Sequence, residues 1–446
     1  MSYITPRPDI RRAPTTPAQR RDWRAHHGRS DNAFMNLSAA FTLEGPLDEG
    51  ALRRAVDRLV ARHEALRTEF RTDGDLLWQH VLPATAEHLP SLTTEDLADD
   101  ALDPDQAERR WAAAVADRSF GLEAGPPARF ALARTGPERA ILCVVLHHII
   151  CDQTSVRIAL RDLAALYTAE TTSAPAELPE LPVQFPDYAH WWHERSTTGG
   201  FDRNLAHWAR SLADAPAVTP LPVTPSQDRH ATTYTTPLPH HSADRLARAA
   251  AEARTTPYVL LLSAFGGALA DLTGAREHLV ECGYANRLSA PLWEGVGRFS
   301  NNLVLRVPTD PGAGTREQLA ATHSAAMTAF AHARVSLDAV NEAALLDRQY
   351  VPNPESAVAF QLIDGFTDLL PLPGVVAEQH PTAAGSILDL LSVMVERNGS
   401  RLTLRATYCP SLLSTTWIED LARRFLDRLD ALVADVEHDR TAEATA

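Results

Sequence analysis

The chain has 446 residues, 45% of them hydrophobic and 22% charged, with a formal net charge of −15. That length suits about two domains, the composition is that of a globular protein, and the negative field argues against a nucleic-acid or anionic-membrane partner. The first residues, "MSYITPRPDIRRAPTTPAQRR", hold no apolar core of signal-peptide length, and the longest apolar stretch, "YVLLLSAFGGALA", is too short to cross a bilayer.

In chain order, "EGALRRAVDRLVARHEALRTEF" predicts a helix with Leu52, Val56, Leu59, Val60 and His63 on one face. A strand, "DLLWQHVL", follows the turn "TDGD". A helix is expected through "DQAERRWAAAVADRSF", then a hairpin over residues 128–148 whose turn holds Gly136 and Pro137. After it comes a helix whose apolar face carries Val156, Ala159, Leu160, Leu163, Leu166 and Tyr167. The Pro-rich interval Ser173–Trp192 is the expected inter-domain connection. Beyond it a helix pair in "GFDRNLAHWARSLADA", the helix "TPYVLLLSAFGGALADLTG" and the strands "HLVECGY" and "SNNLVLRV" are predicted. A strand pair turning at Asn398-Gly399 and a closing helix from "TTWIEDLARRF" complete the α+β pattern. Cys143, Cys151, Cys282 and Cys409 show no paired spacing and read as reduced, buried thiols of a cytoplasmic protein.

The pattern His-His-x-x-x-Asp occurs at residues 26–31 and again at 147–152. The first copy follows a polar helical segment and enters a turn-rich loop, so a solvated loop is expected there. "HHSAD" at 240–244 reads as a helix start with Ser242 as N-cap. The second copy stands where the apolar run "AILCVVL" ends and a helix begins, a rigid place to mount side chains against a cleft. Successive strand residues point to opposite faces, so His147 and His148 cannot share one pocket. That argues against a bis-histidine metal site, which wants both rings on one face. One imidazole faces a site, as general base or positioned hydrogen-bond partner, and the other packs inside. Asp152 either orients that imidazole or holds the loop through an arginine. A core histidine pair beside a helix N-cap is the plain alternative.

Several segments together resemble the condensation domains of nonribosomal peptide synthesis, in the superfamily with the chloramphenicol acetyltransferase fold. "TTPAQRRDW" (15–23) is similar to that family's opening motif, and "RHEALRTEF" (62–70) matches its second fully. "HHIICDQTS" (147–155) is the active-site signature, "FPDYAHWW" (185–192) resembles the fourth motif, and "GYANRLSAPLWEGVGRFSNNLVLRV" (283–307) the fifth. They occur in the family's order across nearly the whole chain. The resemblance implies two acetyltransferase-like lobes, 1–178 with the histidine motif and 179–446, in a V-shaped pseudo-dimer around a central tunnel.

It implies donor and acceptor carrier proteins as partners, presenting acyl or peptidyl thioesters on phosphopantetheine arms, with no metal and no bound cofactor. His148 matches the catalytic histidine and His147 the structural one. Asp152 matches an aspartate paired with an arginine of the other lobe, for which Arg287 is the candidate. Arg62 and Arg67 match motif arginines that look architectural, and Ser155, Ser300 and Asn302 fall among tunnel residues. A monomer acting in trans is expected, since the chain starts with Met and stops soon after its last helix. Close variants form an ester or use a soluble or CoA-bound partner. Other relatives with a degraded histidine motif recruit a tailoring oxygenase.

Two departures stand out. The signature usually ends Asp-Gly, but here Asp152 is followed by Gln153. Either the backbone there is ordinary and Gln153 points away, or its amide projects into the tunnel. "HARVSLDAVNEA" (332–343) stands in place of the sixth motif, and "RQYVPNPESAVAFQ" (348–361) only loosely echoes the seventh.

Overall fold

A computed structural model describes the chain apart from residues 1–3, 8–10, 29–31, 98–102, 216–218, 229, 311, 344–356, 381–388 and 444–446. Most of the loose seventh motif, and Asp31 of the early histidine pattern, therefore lie outside the described residues. The first elements are β1 (Arg12–Pro14), α1 (Pro17–His27), β2 (Asn36–Glu44), α2 (Glu49–Arg62), β3 (Thr68–Asp73), β4 (Leu76–Val81) and β5 (Leu92–Asp96). Then come α3 (Pro104–Ala116), β6 (Ala128–Gly136), β7 (Arg139–His147), α4 (Gln153–Thr172), α5 (Phe185–Thr197), α6 (Asp202–Leu212), β8 (Thr232–Pro237), α7 (Ala243–Glu252) and α8 (Pro257–Thr273). The rest are β9 (Glu277–Tyr284), β10 (Asn301–Pro308), α9 (Thr315–Ala331), α10 (Leu337–Glu342), β11 (Val358–Asp364), β12 (Val376–His380), β13 (Leu391–Asn398), β14 (Arg401–Tyr408) and α11 (Thr415–Glu443).

The chain forms two compact units. Unit 1 comprises residues 1–202, 285–300 and 366–383; unit 2 comprises 203–284, 301–365 and 384–446. Unit 1 holds a five-stranded sheet in the order β12-β2-β7-β6-β5 and a three-stranded one, β1-β4-β3. Strand β7 lies at the centre of the larger sheet, and strict alternation gives it two apolar faces. Leu142, Val144 and Leu146 pack with α2 and α4, whereas Ile141, Cys143 and Val145 pack with Trp111, Ala112 and Val115 of α3. His147 continues the α3 face, and Phe120 meets its ring edge-on with centroids 6.2 Å apart.

The helix expected to run through "RTEF" ends earlier, at Arg62. His63 leaves helical geometry (φ −102°, ψ 106°), and its buried Nε2 lies 2.9 Å from Asp162 Oδ2. Thr68 to Asp73 then form a hairpin with β4. This tertiary bond and the strand pairing outweigh the helix propensity of "EALR". Residues 200–215, expected as a pair, contain the single helix α6, and α9 appears where no element is predicted.

Unit 2 carries the six-stranded sheet β10-β9-β11-β13-β14-β8. Helix α8 is capped by Thr256, begins with Pro257 and stops at Gly274, whose φ of 70° suits a residue without Cβ. It is apolar on every side and correspondingly buried from Val259 to Ala270. No single described helix is long and apolar enough to cross a membrane; α7 and α8 reach that length and composition only as a pair bent by 90°. Ser242 caps α7 by accepting from the Arg245 N–H. The β13–β14 turn has Gly399 in the left-handed region, at φ 60°.

Candidate functional site

Strand β7 ends at His147, and a 3₁₀ turn, His148–Ile150, leads into α4. The turn is what separates the two imidazoles. His147 is fully buried, while His148 is only partly buried. The His148 Nδ1 lies 2.8 Å from the Cys151 carbonyl. A carbonyl only accepts, so the neutral ring keeps its proton on Nδ1 and presents the Nε2 lone pair. Burial and the Arg298 charge, partly countered by Asp22, pull the His148 pKa from 6.5 down to about 4. Burial, reinforced by His26, brings His147 down to about 3. Both rings are therefore neutral across the physiological range.

These depressed values make folding pH-dependent. The unfolded chain takes up protons at these two imidazoles near their ordinary value of 6.5, which the folded chain resists until about 4 and about 3. The unfolded state then binds more protons, so stability is full above 6.5 and declines as pH falls towards 4. Melting temperatures measured between pH 7.5 and 5 should fall with acidity, with a shallower slope in His148→Ala. A flat profile would contradict this.

Asp152 is the N-cap of α4. Its Oδ1 accepts from Ser155 N at 2.8 Å, Ser155 Oγ at 2.7 Å and Arg287 Nη2 at 3.1 Å. Its Oδ2 accepts from the N–H groups of Phe299 (3.2 Å) and Ser300 (3.1 Å). Burial raises the carboxyl's pKa, but Arg287 and the Ser155 bonds outweigh it and hold it ionised below the ordinary range. Arg287 is itself clamped by the carbonyls of Leu292 (2.6 Å) and Gly295 (2.7 Å), with its guanidinium 4.5 Å from the Phe299 ring centre. The residue before it, Asn286, is buried in the left-handed region at φ 53°, a conformation Asn tolerates better than most residues. Its amide reaches the Tyr188 hydroxyl and the Phe299 carbonyl.

The remaining expected site residues fall in different places. Ser155 is fully buried: its hydroxyl donates to Asp152 Oδ1, accepts from Arg287 and Gly297 N, and lies 2.8 Å from the Gly297 carbonyl. A Cβ on Gly297 would stand 2.3 Å from the Phe185 ring, so only glycine brings this backbone so close. The Ser300 carbonyl accepts from Arg298 Nη1 at 2.6 Å. Gln153 is half-buried at the first position of α4, and it is not among the described non-glycine residues with positive φ, so the position does not need the conformational freedom of the usual glycine. Asn302 lies in unit 2, on β10 opposite Gly283. Arg62 pairs with Asp162 at 3.0 Å, and Arg67 with Glu64 at 3.1 Å; they brace α2 and the turn after it. Among the described residues, no group of three or more His, Cys, Asp or Glu is arranged to hold a metal ion.

The structure also brings in residues that sequence reasoning passed over. Asp22 and Arg298, 0% and 1% exposed as side chains, form an ion pair of 2.7 Å, with Arg21 3.3 Å from the same carboxylate. Burial alone would raise the Asp22 pKa, but Arg298 and Arg21 hold it well below the usual carboxylate range. His26, expected in a solvated loop, is instead buried on α1, with Nδ1 3.1 Å from His147 Nε2. The available signal was the spacing of Gln19, Asp22 and His26 on one face of "PAQRRDWRAHH". A polar stripe of that kind normally marks a solvated face.

Comparison with known proteins places this arrangement. The condensation-domain family profile matches residues 10–445. Chondramide synthase of Chondromyces crocatus is 30% identical over 445 residues, covering 98% of this chain and 11% of that protein. Phosphinothricin tripeptide synthetase of Streptomyces viridochromogenes is 30% identical over 434 residues, covering 95% of this chain and 39% of that protein. The chain thus spans only a part of the length of these relatives. Among solved structures, the X-domain from teicoplanin biosynthesis superposes with a TM-score of 0.82 at 24% identity, covering 97% of this chain and 98% of that one. The first condensation domain of the calcium-dependent antibiotic synthetase gives 0.78 at 21% identity, covering 96% and 97%. The shared fold is α+β, with two chloramphenicol acetyltransferase-like lobes.

Proposed function

Because this chain belongs to the condensation-domain family of nonribosomal peptide synthesis, we propose that it joins a carrier-bound acyl or peptidyl thioester to an amine. The observation that carries the reading is the state of His148: neutral, its Nδ1 proton bound to the Cys151 carbonyl, its Nε2 lone pair available. The amine nitrogen attacks the thioester carbonyl carbon, the C–N bond forms, and the C–S bond breaks. His148 Nε2 accepts the hydrogen of the attacking amine, and that proton leaves with the donor thiol. A base with a pKa of about 4 abstracts protons weakly. However, an α-amine with a pKa of about 8 is already neutral to roughly a tenth at pH 7. Orientation of that neutral amine is then the main service of the ring. Asp152 and Arg287 hold the loop, with Ser155 bound into the same network; Gln153, Ser300 and Asn302 remain candidate substrate contacts.

The partners in this reading are donor and acceptor carrier proteins, with substrates on phosphopantetheine arms, and the protein acts as a cytoplasmic monomer. Four free, buried cysteines support a reducing compartment. Incubating the protein with an acyl-loaded donor carrier and an aminoacyl-loaded acceptor carrier tests it by intact-protein mass. The acceptor is expected to gain the acyl group while the donor returns to its free-thiol mass. Absence of transfer to any carrier-bound or free amine sinks the proposal, and transfer to an alcohol substitutes the ester-forming variant. A second reading, a recruitment module, draws on Gln153 in place of the usual glycine and on a structural neighbour, the X-domain, held in complex with OxyB. The intact His147, His148 and Asp152 weigh against it, and acyl transfer would exclude a purely non-catalytic role.

A further inference from the structure

Helix α1 presents three buried polar side chains at helical spacing, Gln19, Asp22 and His26. Each is bonded to a different part of the structure around the histidine turn. Gln19 Nε2 donates to the Ile149 carbonyl at 3.2 Å and to Gln79 Oε1 at 3.0 Å. Asp22 binds Arg298. His26 Nδ1 lies 3.1 Å from His147 Nε2, the rings set edge-on with centroids 5.0 Å apart.

The direction of these bonds follows from one group that can only donate. The Ile149 N–H lies 3.1 Å from His147 Nδ1, so Nδ1 is the acceptor. Neutral His147 then carries its single proton on Nε2 and donates it to His26 Nδ1. Neutral His26 in turn carries its proton on Nε2. That proton goes to the Phe120 backbone, to which the His26 ring donates; Asn32 Nδ2, itself a donor, lies 3.2 Å from Nε2 and gives its hydrogen to the His26 carbonyl at 3.3 Å. The peptide nitrogen just after His148 is therefore held by His147, the carbonyl of the next residue by Gln19, and the tautomer of His147 is the one that His26 can accept from.

We propose that His26 is a positioning residue: by accepting the His147 Nε2 proton it fixes the tautomer that holds the 148–149 peptide, and so aims the His148 ring. Its kinetic consequence rests on the condensation reading above; its hydrogen-bond pattern does not. A space-filling role for His26 would be met by any side chain of similar bulk, whereas the positioning role needs an acceptor where Nδ1 sits.

Spectra of ¹⁵N-histidine-labelled wild-type protein read the tautomers directly. The expected pattern is an Nε2 proton on His147 and an Nδ1 proton on His148; an Nδ1 proton on His147 overturns the proposal. In the condensation assay, His26→Leu is expected to lower kcat by roughly tenfold to a hundredfold, the scale of a small misplacement of a reacting group. KM should hardly move, and His26→Asn, which keeps an acceptor, should recover most of the loss. A leucine variant with wild-type kcat overturns the proposal, and so does a folded asparagine variant no better than leucine. If the leucine variant does not fold, the wild-type spectra and the asparagine variant still decide. The expected tautomers in a wild-type protein that forms no product would instead overturn the condensation reading and support the hydrogen-bond assignment.

Discussion

Asp22→Ala is expected to destabilise unit 1 by about 3–5 kcal/mol, the cost of leaving a buried charge without its partner. The reason is geometric. The Arg298 side chain is 1% exposed and its Nε meets Asp22 Oδ2 at 2.7 Å; without the carboxylate, that buried guanidinium loses its compensating charge. The loss should appear as a lower urea midpoint for the first unfolding transition. Arg298→Met should cost less than Asp22→Ala, because Arg21 at 3.3 Å still offsets the Asp22 charge. The double variant Asp22→Leu/Arg298→Met should recover much of the stability, since buried ion pairs exchange for well-packed apolar groups at little net cost. A single-variant loss below 1 kcal/mol would show that the pair is far better solvated than its geometry implies.

His148→Ala should lower kcat/KM for amide formation by roughly 10²-fold or more, the scale of losing the group that orients the nucleophile. The folded state should survive, because the ring is only partly buried and its bonded contact is to the nearby Cys151 carbonyl. The pH profile separates the two services an imidazole can provide. With its pKa down at about 4, His148 is already neutral through the working range. The acid limb of kcat/KM should therefore follow the acceptor amine, near its own pKa of about 8, and move with that pKa when the acceptor is changed. An acid limb fixed near 6.5 for every acceptor would show an imidazole titrating in its ordinary range and contradict the buried, Arg298-facing environment. Activity unchanged in His148→Ala would remove the ring from the reaction.

The two effects share a cause. Residues 285–300 are joined to the histidine loop by the Asp152–Arg287 pair, the Ser155–Gly297 bonds, and the Phe299 and Ser300 N–H groups on Asp152. Asp22–Arg298 joins the same segment to α1. Loss of Asp22 thus weakens the support behind His148, and a stability variant should carry a smaller kinetic penalty as well.

What the residue order determined is whatever depends on near neighbours. Alternation along "AILCVVLH" put His147 on the packed face shared by Ile141, Cys143 and Val145, because a pleated strand sends successive side chains to opposite faces, whereas the 3₁₀ turn that begins at His148 is what separates the two rings. Asp152 at the head of an apolar-faced segment marked the start of α4, because a carboxylate there accepts the free N–H groups of the first turn. Only the tertiary structure decided the rest. Asp22 meets Arg298 across 276 positions and His26 meets His147 across 121, and no local periodicity encodes such a pairing. In the chain α1 looks like a solvated polar helix. Its buried polar stripe is tolerable only because partners from β7, the 3₁₀ turn and residues 285–300 close on it, and those partners exist only once the sheet has placed them.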